Sequence, residues 1–260
     1  MNIELKGKKA LVCGSTQGIG KASAMELATL GASVILLARN EAELKKVKNE
    51  LPGDAAHHYL VADFSKPEEL RKVINAYVNE NGPVHILVNN TGGPPGGPIT
   101  DAGTEEFLQA FSNHLICNHI LAQAVLPGMK SEKYGRIINI ISTSVKQPLK
   151  GLGVSNTIRA AVANWSKTLS NEVASFGITV NNVLPGATAT GRLSSIFENK
   201  AKKSGKTVHE VEQEMLKEIP AGRFADASEI ANAVAFLSSP AAAYITGINV
   251  PVDGGRTSSL

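Results

Sequence analysis

Between Gly14 and Gly20 the chain reads Gly-Ser-Thr-Gln-Gly-Ile-Gly, directly after an apolar run and directly before a helical pattern. Glycines there allow positive φ and let the backbone come close to a pyrophosphate, while the helix that follows offers unpaired N–H groups and a partial positive charge. Gly14, Ser15, Gln17, Gly18, Ile19 and Gly20 are therefore candidate phosphate contacts. A plain strand-to-helix turn has the same composition; the position of this one, after the first strand, favours the phosphate reading. The second apolar run ends Ala38-Arg39-Asn40. An acidic residue there would take the ribose hydroxyls of NAD, whereas Arg39 presents a fork suited to the 2′-phosphate of NADP. NADP is favoured, with NAD and a merely solvated arginine left open.

Other reactive side chains give weaker patterns. His114 and His119 are five residues apart and share no helix face, and His57 and His58 have no partners nearby, so no metal site is expected. Cys13 and Cys117 make no C-x-x-C pair and no disulfide framework. The first residues lack the apolar run and small-residue cleavage site of a secretory leader. A reducing, cytoplasmic setting is expected.

These residues need elements to hold them. Apolar runs rich in Val and Ile fall at 9–13, 34–38, 84–89, 136–141, 178–183 and 248–252. They are near-continuous rather than alternating, as strands buried on both faces of a parallel sheet must be. Helical periods lie between them. Leu70, Val73, Ile74, Tyr77 and Val78 form one apolar stripe, with Ser65 and Glu68 as a capping box and Pro67 in the first turn. Ile230, Ala233, Val234 and Leu237 form another, with Asp226 and Glu229 at its start. The stretch Phe107–Met129 holds no Asp, Glu, Lys or Arg, but its Asn, His and Gln residues mark a buried helix rather than a membrane span. Strand–helix alternation along all 260 residues predicts an α/β fold: a Rossmann-type doubly wound parallel sheet of about seven strands, helices on both faces, as one domain spanning 1–260. Twenty-six basic against 23 acidic residues give a net charge of +3 with no basic block, which argues against nucleic acid.

With these motifs in place, the chain resembles a short-chain dehydrogenase/reductase over its whole length. The likeness is carried by the Gly14, Gly18, Gly20 spacing, Asp63 after the third strand, Asn-Asn-Thr-Gly at 89–92, and Gly-Arg-Ile-Ile-Asn-Ile-Ile-Ser at 135–142. Val-Asn-Asn-Val-Leu-Pro-Gly at 180–186 and Asp-Gly-Gly at 253–255 add to it, and 222–231 with 244–247 resemble the 3-oxoacyl-carrier-protein reductase branch. The resemblance implies that Asp63 and Phe64 contact adenine, and that Asn90 and Gly92 line the cofactor. It implies that Pro185, Gly186 and Thr188 hold the nicotinamide end, with Thr190 near the amide or pyrophosphate. It makes 191–219 a lid over the substrate, and implies a homotetramer or homodimer built through helices near 103–131 and 155–176 and the C-terminal strand. The basic cluster 200–206 within the lid reads as a solvated face, balanced by Glu210, Glu212 and Glu214, rather than as a substrate attractor.

The family's chemistry uses a Ser to polarise a carbonyl, a Tyr thirteen residues on as proton donor, a Lys four further, and an Asn in the preceding long helix. Here those positions hold Ser142, Ser155, Arg159 and His114, and no tyrosine occurs between Tyr134 and Tyr244. A serine hydroxyl is a far weaker acid than a tyrosine of pKa ~10; the resemblance implies that Arg159 keeps the lysine's positive charge at the nicotinamide ribose of the cofactor, but arginine stays protonated and shuttles no proton. Yet Ser155 and Arg159 are four apart on one helix and share a face, as the missing pair would. The Gly/Pro loop 91–98 and the pattern Leu152, Ser155, Asn156, Arg159 resemble a divergent subgroup of the family, so the site is read as reworked. His114, with a pKa near neutrality, is a candidate proton carrier, and Lys146 and Lys150 are further candidates; core packing for the histidine and solvation for the lysines are the competing readings. The function expected is NADP-dependent reduction of a small carbonyl substrate, such as a 3-oxoacyl thioester, or oxidation of an alcohol. A dinucleotide-binding regulator without turnover and a non-redox lyase or isomerase are the alternatives.

Overall fold

Alternate side chains of each strand enter two separate cores. Ala10, Val12, Val34, Leu36, Ile86 and Val88 join one apolar cluster, while Leu11, Cys13, Ile35, Leu37 and Leu87 join the other. With both faces buried no polar face survives, which explains the unbroken apolar runs. In the computed structural model, which describes residues 1–259, these runs form one parallel sheet. Its strands are β1 (Lys9–Cys13), β2 (Ser33–Ala38), β3 (His58–Val61), β4 (Ile86–Asn89), β5 (Gly135–Ile140), β6 (Ile178–Pro185) and β7 (Asn249–Val252). They lie in the order β3-β2-β1-β4-β5-β6-β7. This is the doubly wound Rossmann-type arrangement. The order reverses between β1 and β4, which opens a crevice at the carboxyl ends of those strands.

The helices are α1 (Gly18–Thr29), α2 (Glu41–Glu50), α3 (Pro67–Asn81), α4 (Thr104–Phe111), α5 (Cys117–Ser131), α6 (Gly153–Val173), α7 (Gly191–Ser204), α8 (Val208–Lys217) and α9 (Ala227–Ser238). On one face Leu27 of α1, Leu44 of α2 and Ile230 and Val234 of α9 fill the first core. On the other, Leu70 and Ile74 of α3 and Ile120, Leu121 and Val125 of α5 fill the second. Val162 and Ala163 of α6 pack on Ile141, just past β5, and on Leu184 of β6. Segment 191–219 contains α7 and α8, which share a small core of Leu193, Phe197, Ala201 and Val211.

Three local expectations change. β3 escapes the apolar-run reading because it has four residues, half-exposed at the sheet edge. The start of α3 is capped differently: Lys66 is the N-cap without a side-chain bond, Pro67 opens the helix, and the Ser65 N–H donates to Asp63 Oδ1 at 2.9 Å. The aspartate competes for Ser65 by forming an Asx turn. The long uncharged helix is interrupted by a π-helical turn at Ser112–Ile116, with buried His114 inside it. Such turns widen the backbone spiral by one residue and re-aim side chains. No helix among the described residues is long and apolar enough to cross a membrane.

Candidate active site

The glycine turn is built by close backbone approach. A Cβ on Gly20 would lie 2.1 Å from Gly14 O, and one on Gly14 (φ +59°) would lie 2.6 Å from Asn90 O. Gly14 N–H donates to Leu37 O at 2.8 Å, fixing the turn to β2. Asn90 holds it from below: its amide points at Cys13 O (3.2 Å) and Gly14 O (3.4 Å). Gln17 is the N-cap of α1 but makes no side-chain cap, and no acidic residue occupies the first turn. The first N–H groups of α1, from Gly18, Ile19 and Gly20, have no helical partner by geometry and stay free for an anion. Ser15 is fully buried, with a hydroxyl that bonds nothing. Gly18 faces Thr190, whose methyl would lie 3.2 Å from an added Cβ. This cradle, filled by any side chain at 14 or 20, fits a dinucleotide pyrophosphate.

Neighbouring positions surround that cradle. Arg39 is exposed just past β2, and Ala62 N–H bonds Ala38 O at 3.0 Å, so Asp63 stands beside it. The Ser65 backbone N–H, and to a smaller extent Arg39, holds the Asp63 carboxyl below its usual range. Phe64 is half-buried against the second core. Gly92 has open space where a side chain would be. Pro185 ends β6, and Gly186 packs so tightly that a Cβ would lie 2.7 Å from Asp253 Cα. The Thr188 hydroxyl donates to Gly186 O at 3.2 Å, and the Thr190 hydroxyl to Thr188 O at 3.3 Å.

The catalytic candidates gather past the ends of β4 and β5. Ser142 Oγ accepts the Ser144 N–H at 3.1 Å, leaving its own O–H free to donate. Ser155 is buried in the first turn of α6, one turn from Arg159. Arg159 is buried, and donates from Nη1 to Ile140 O (3.1 Å) and from Nη2 to Thr91 O (3.5 Å). Burial, and then neighbouring Arg192, lower its guanidinium to about 10, which still leaves it charged at neutral pH. His114 Nδ1 lies 2.5 Å from Thr91 Oγ1. Burial first, then Arg159 and Arg192, push His114 down to about 2. This corrects the expectation of a pKa near neutrality: His114 is a neutral imidazole throughout the physiological range. Lys146 and Lys150 form no hydrogen bond to Ser142, Ser155 or His114 among the described residues, and Lys150 is exposed.

The Gly/Pro loop and the start of α6 fold as one unit. Gly97 N–H donates to Gly151 O (2.7 Å), and Gly153 N–H donates back to Gly97 O (3.1 Å). Gly97 bridges Leu152, and Asn156 Nδ2 closes the turn onto Leu149 O at 2.9 Å. A Cβ on Gly153 would sit 2.5 Å from Ile99 Cβ. Leu152 and Asn156 thus fix the loop that brings Ser155 to the cleft.

A match to the family model described as Enoyl-(Acyl carrier protein) reductase covers residues 14–257. The chain belongs to the short-chain dehydrogenase/reductase family. It is 38% identical over 255 residues to the 3-oxoacyl-[acyl-carrier-protein] reductase FabG of Vibrio cholerae, covering 97% of this chain and 98% of that protein. It is 34% identical to the uncharacterized oxidoreductase YvrD of Bacillus subtilis, over 100% of both chains. Among solved structures it resembles L-sorbose reductase from Gluconobacter frateurii, complexed with NADPH and L-sorbose. That match has TM-score 0.92 and 31% identity, and spans 100% of both chains. It also resembles YwfH, an NADPH-dependent reductase involved in bacilysin biosynthesis, with TM-score 0.92, 30% identity and coverage of 98% and 100%.

Within this short-chain dehydrogenase/reductase, two features lay beyond sequence reasoning. The first is an asparagine ladder. Asn89, Asn139, Asn182 and Asn249 occupy matched registers across β4–β7. Asn89 Nδ2 donates to Asn139 Oδ1 (2.8 Å), Asn139 Nδ2 reaches Asn182 Oδ1 (3.1 Å) and Ser166 Oγ (2.8 Å), and Asn182 Nδ2 donates to Asn249 Oδ1 (2.9 Å). The ladder ties α6 to the sheet through Ser166. Asparagines inside apolar runs were its only signal. The second is Arg192 at the start of α7, whose guanidinium donates to Gly93 O and Pro94 O, both at 3.2 Å. The four tyrosines all lie away from this cluster. Tyr134 precedes β5, eight residues before Ser142 and so roughly 26 Å from it along an extended chain at ~3.3 Å per residue. Tyr244 is fully exposed, Tyr59 bonds Glu41, and Tyr77 is buried in α3.

Proposed function

We propose that this chain is an NADP(H)-dependent oxidoreductase that interconverts a small carbonyl compound and its alcohol through an altered catalytic set. One observation carries the reading: Asn90 under the cradle and Thr91, which meets both His114 and Arg159, are consecutive residues at the carboxyl edge of the sheet, where Ser142 follows β5 and Ser155 lies in the first turn of α6. NADPH, when bound, supplies the hydride. Gly14, Ser15, Gln17, Gly18, Ile19 and Gly20 would hold its pyrophosphate. Arg39 would pair with the 2′-phosphate, Asp63 and Phe64 would meet adenine, and Gly92, Pro185, Gly186, Thr188 and Thr190 would line the nicotinamide half. Asn90 acts by holding the turn.

Ser142 donates its free O–H to the carbonyl oxygen. Arg159 places a fixed positive charge beside the oxygen as it gains negative charge. His114 stays neutral and passes a proton through its two nitrogens, with Thr91 on Nδ1, instead of carrying net charge. Ser155 lies on the face toward the substrate. Segment 191–219 is the lid. The substrate is a small molecule; neither nucleic acid nor a membrane is a partner. Exposed Leu108, Phe111 and Ile116 along α4 and the turn after it suit a homodimer or homotetramer, which light scattering would reveal. The reduced, buried Cys13 and Cys117, raised by burial, suit the cytoplasm.

The test is NADPH oxidation across ketones, aldehydes, sugars and 3-oxoacyl thioesters, with Ser142→Ala alongside. Loss of the polarising hydroxyl should lower kcat by ~10²–10³-fold with little change in NADPH affinity. Binding of NADPH without oxidation by any carbonyl would overturn the redox reading.

A further inference from the structure

Gly93 lies between two guanidinium groups. A Cβ built on it would fall 2.7 Å from Arg192 Nη2 and 3.5 Å from Arg159 Nη2. The two cations therefore face one point of the Gly/Pro loop, and only glycine leaves that point open. Among the described residues neither has a counter-charge: Arg159 bonds only the carbonyls of Ile140 and Thr91, and Arg192 only those of Gly93 and Pro94. The ion pairs among the described residues all use other cations. Each guanidinium has five N–H donors in a planar fork, so both keep donors to spare. Arg159 is only 8% exposed. A buried cation beside a second cation, with no carboxylate, is costly in an empty protein and favourable once an oxyanion sits between them.

The position of the pair says which oxyanion. The phosphate cradle lies at Gly14–Gly20, against Thr190 and Asn90. Arg159 lies on the other side of Thr91, at the end of β5, with His114 on the Thr91 hydroxyl, where the carbonyl compound would be, and Arg192 meets it across Gly93. An anion bound there would also relieve the positive field that both arginines exert on His114.

We propose that Arg192 and Arg159 form the subsite for a carboxylate on the substrate, so that the carbonyl compound taken by this enzyme is an oxo acid. This rests on the carbonyl-reductase reading for the location of the substrate, and its test needs no turnover. Arg192, at the start of α7, is the specificity-determining residue, and α7 brings it to the loop.

The experiment is calorimetric titration of the full chain, loaded with NADP+ and also without it. The probes are 2-oxobutyrate and 4-oxopentanoate, each against its uncharged methyl ester. In the wild-type protein at least one acid should bind about tenfold or more tightly than its ester. Arg192→Met should remove that preference, Arg192→Lys should retain part of it, and NADP+ affinity should stay within about threefold in both. Arg192 is exposed at a helix start, so these variants should fold, and far-ultraviolet circular dichroism checks it. Equal binding of acid and ester overturns the proposal, as does a preference that survives Arg192→Met. A loss of NADP+ affinity of about tenfold or more with the acid preference unchanged would assign the arginine to the cofactor's pyrophosphate, and overturns it too. Failure of the redox reading shows separately, as NADPH binding without oxidation by any carbonyl.

Discussion

The two ends of the cleft solve the problem of binding charge in opposite ways. At the glycine turn the work is done by backbone. Gly14, Gly18 and Gly20 bring N–H groups together, Asn90 props the turn, and no side chain carries charge inside it. Past β5 the work is done by side chains. Arg159 and Arg192 bring two cations, without a carboxylate partner among the described residues, to one loop, and His114 is held neutral near them. A backbone cradle of this kind suits any dinucleotide. The side-chain end can be rebuilt residue by residue while the fold is kept.

The sharpest break of the backbone end is Gly20→Ala, which would put a methyl 2.1 Å from Gly14 O. Overpacking of this kind costs about 1–3 kcal/mol in stability, read as a lower denaturation midpoint. The turn must also open, so NADPH titration should show a loss of ~100-fold or more. Affinity within about threefold of wild type would show that the turn is not the phosphate cradle.

Arg39→Ala tests the one charged side chain assigned to the cofactor end. A charge-assisted bond is worth ~1.5–3 kcal/mol, so NADPH affinity should fall about 10–100-fold while NADH affinity stays constant. Equal loss for both cofactors would remove Arg39 from the 2′-phosphate.

The mildest change is at the substrate end. The folded His114 pKa, about 2, lies below the unfolded value near ~6.5, so the unfolded chain binds the extra proton in that window. Its contribution to stability is present above the unfolded pKa and is lost as pH falls, with a slope approaching ~1.4 kcal/mol per pH unit. His57 and His85, also lowered chiefly by burial, act with the same sign. His114→Asn should therefore flatten, without abolishing, the loss of stability between pH ~6.5 and ~5 in urea titrations. An unchanged slope would mean His114 is protonated in the folded chain.

The two ends also differ in how much the sequence revealed. The glycine turn was legible because its physics is local: seven consecutive residues carry the φ angles and the helix start. Ser142, Ser155, Arg159 and His114 were located by spacing against the family pattern, and the structure does bring Arg159, His114 and Thr91 to one place. Arg192 could not be found this way, because its partners Gly93 and Pro94 lie almost a hundred residues earlier in the chain. The π-helical turn at 112–116 left no signal either, since an uncharged helical stretch has the same composition with or without it.

By itself the sequence determined the alternation of strands and helices, the glycine turn after the first strand, and the positions of the four tyrosines. These depend on short-range pattern: buried strands must be apolar on both sides, and a tight turn must be glycine. Tertiary structure alone decided that four asparagines meet in register, that His114 is neutral, and that two arginines converge on Gly93. Charge state and ligand preference are set by burial and by neighbours distant in sequence, and neither exists until the sheet and its loops are assembled.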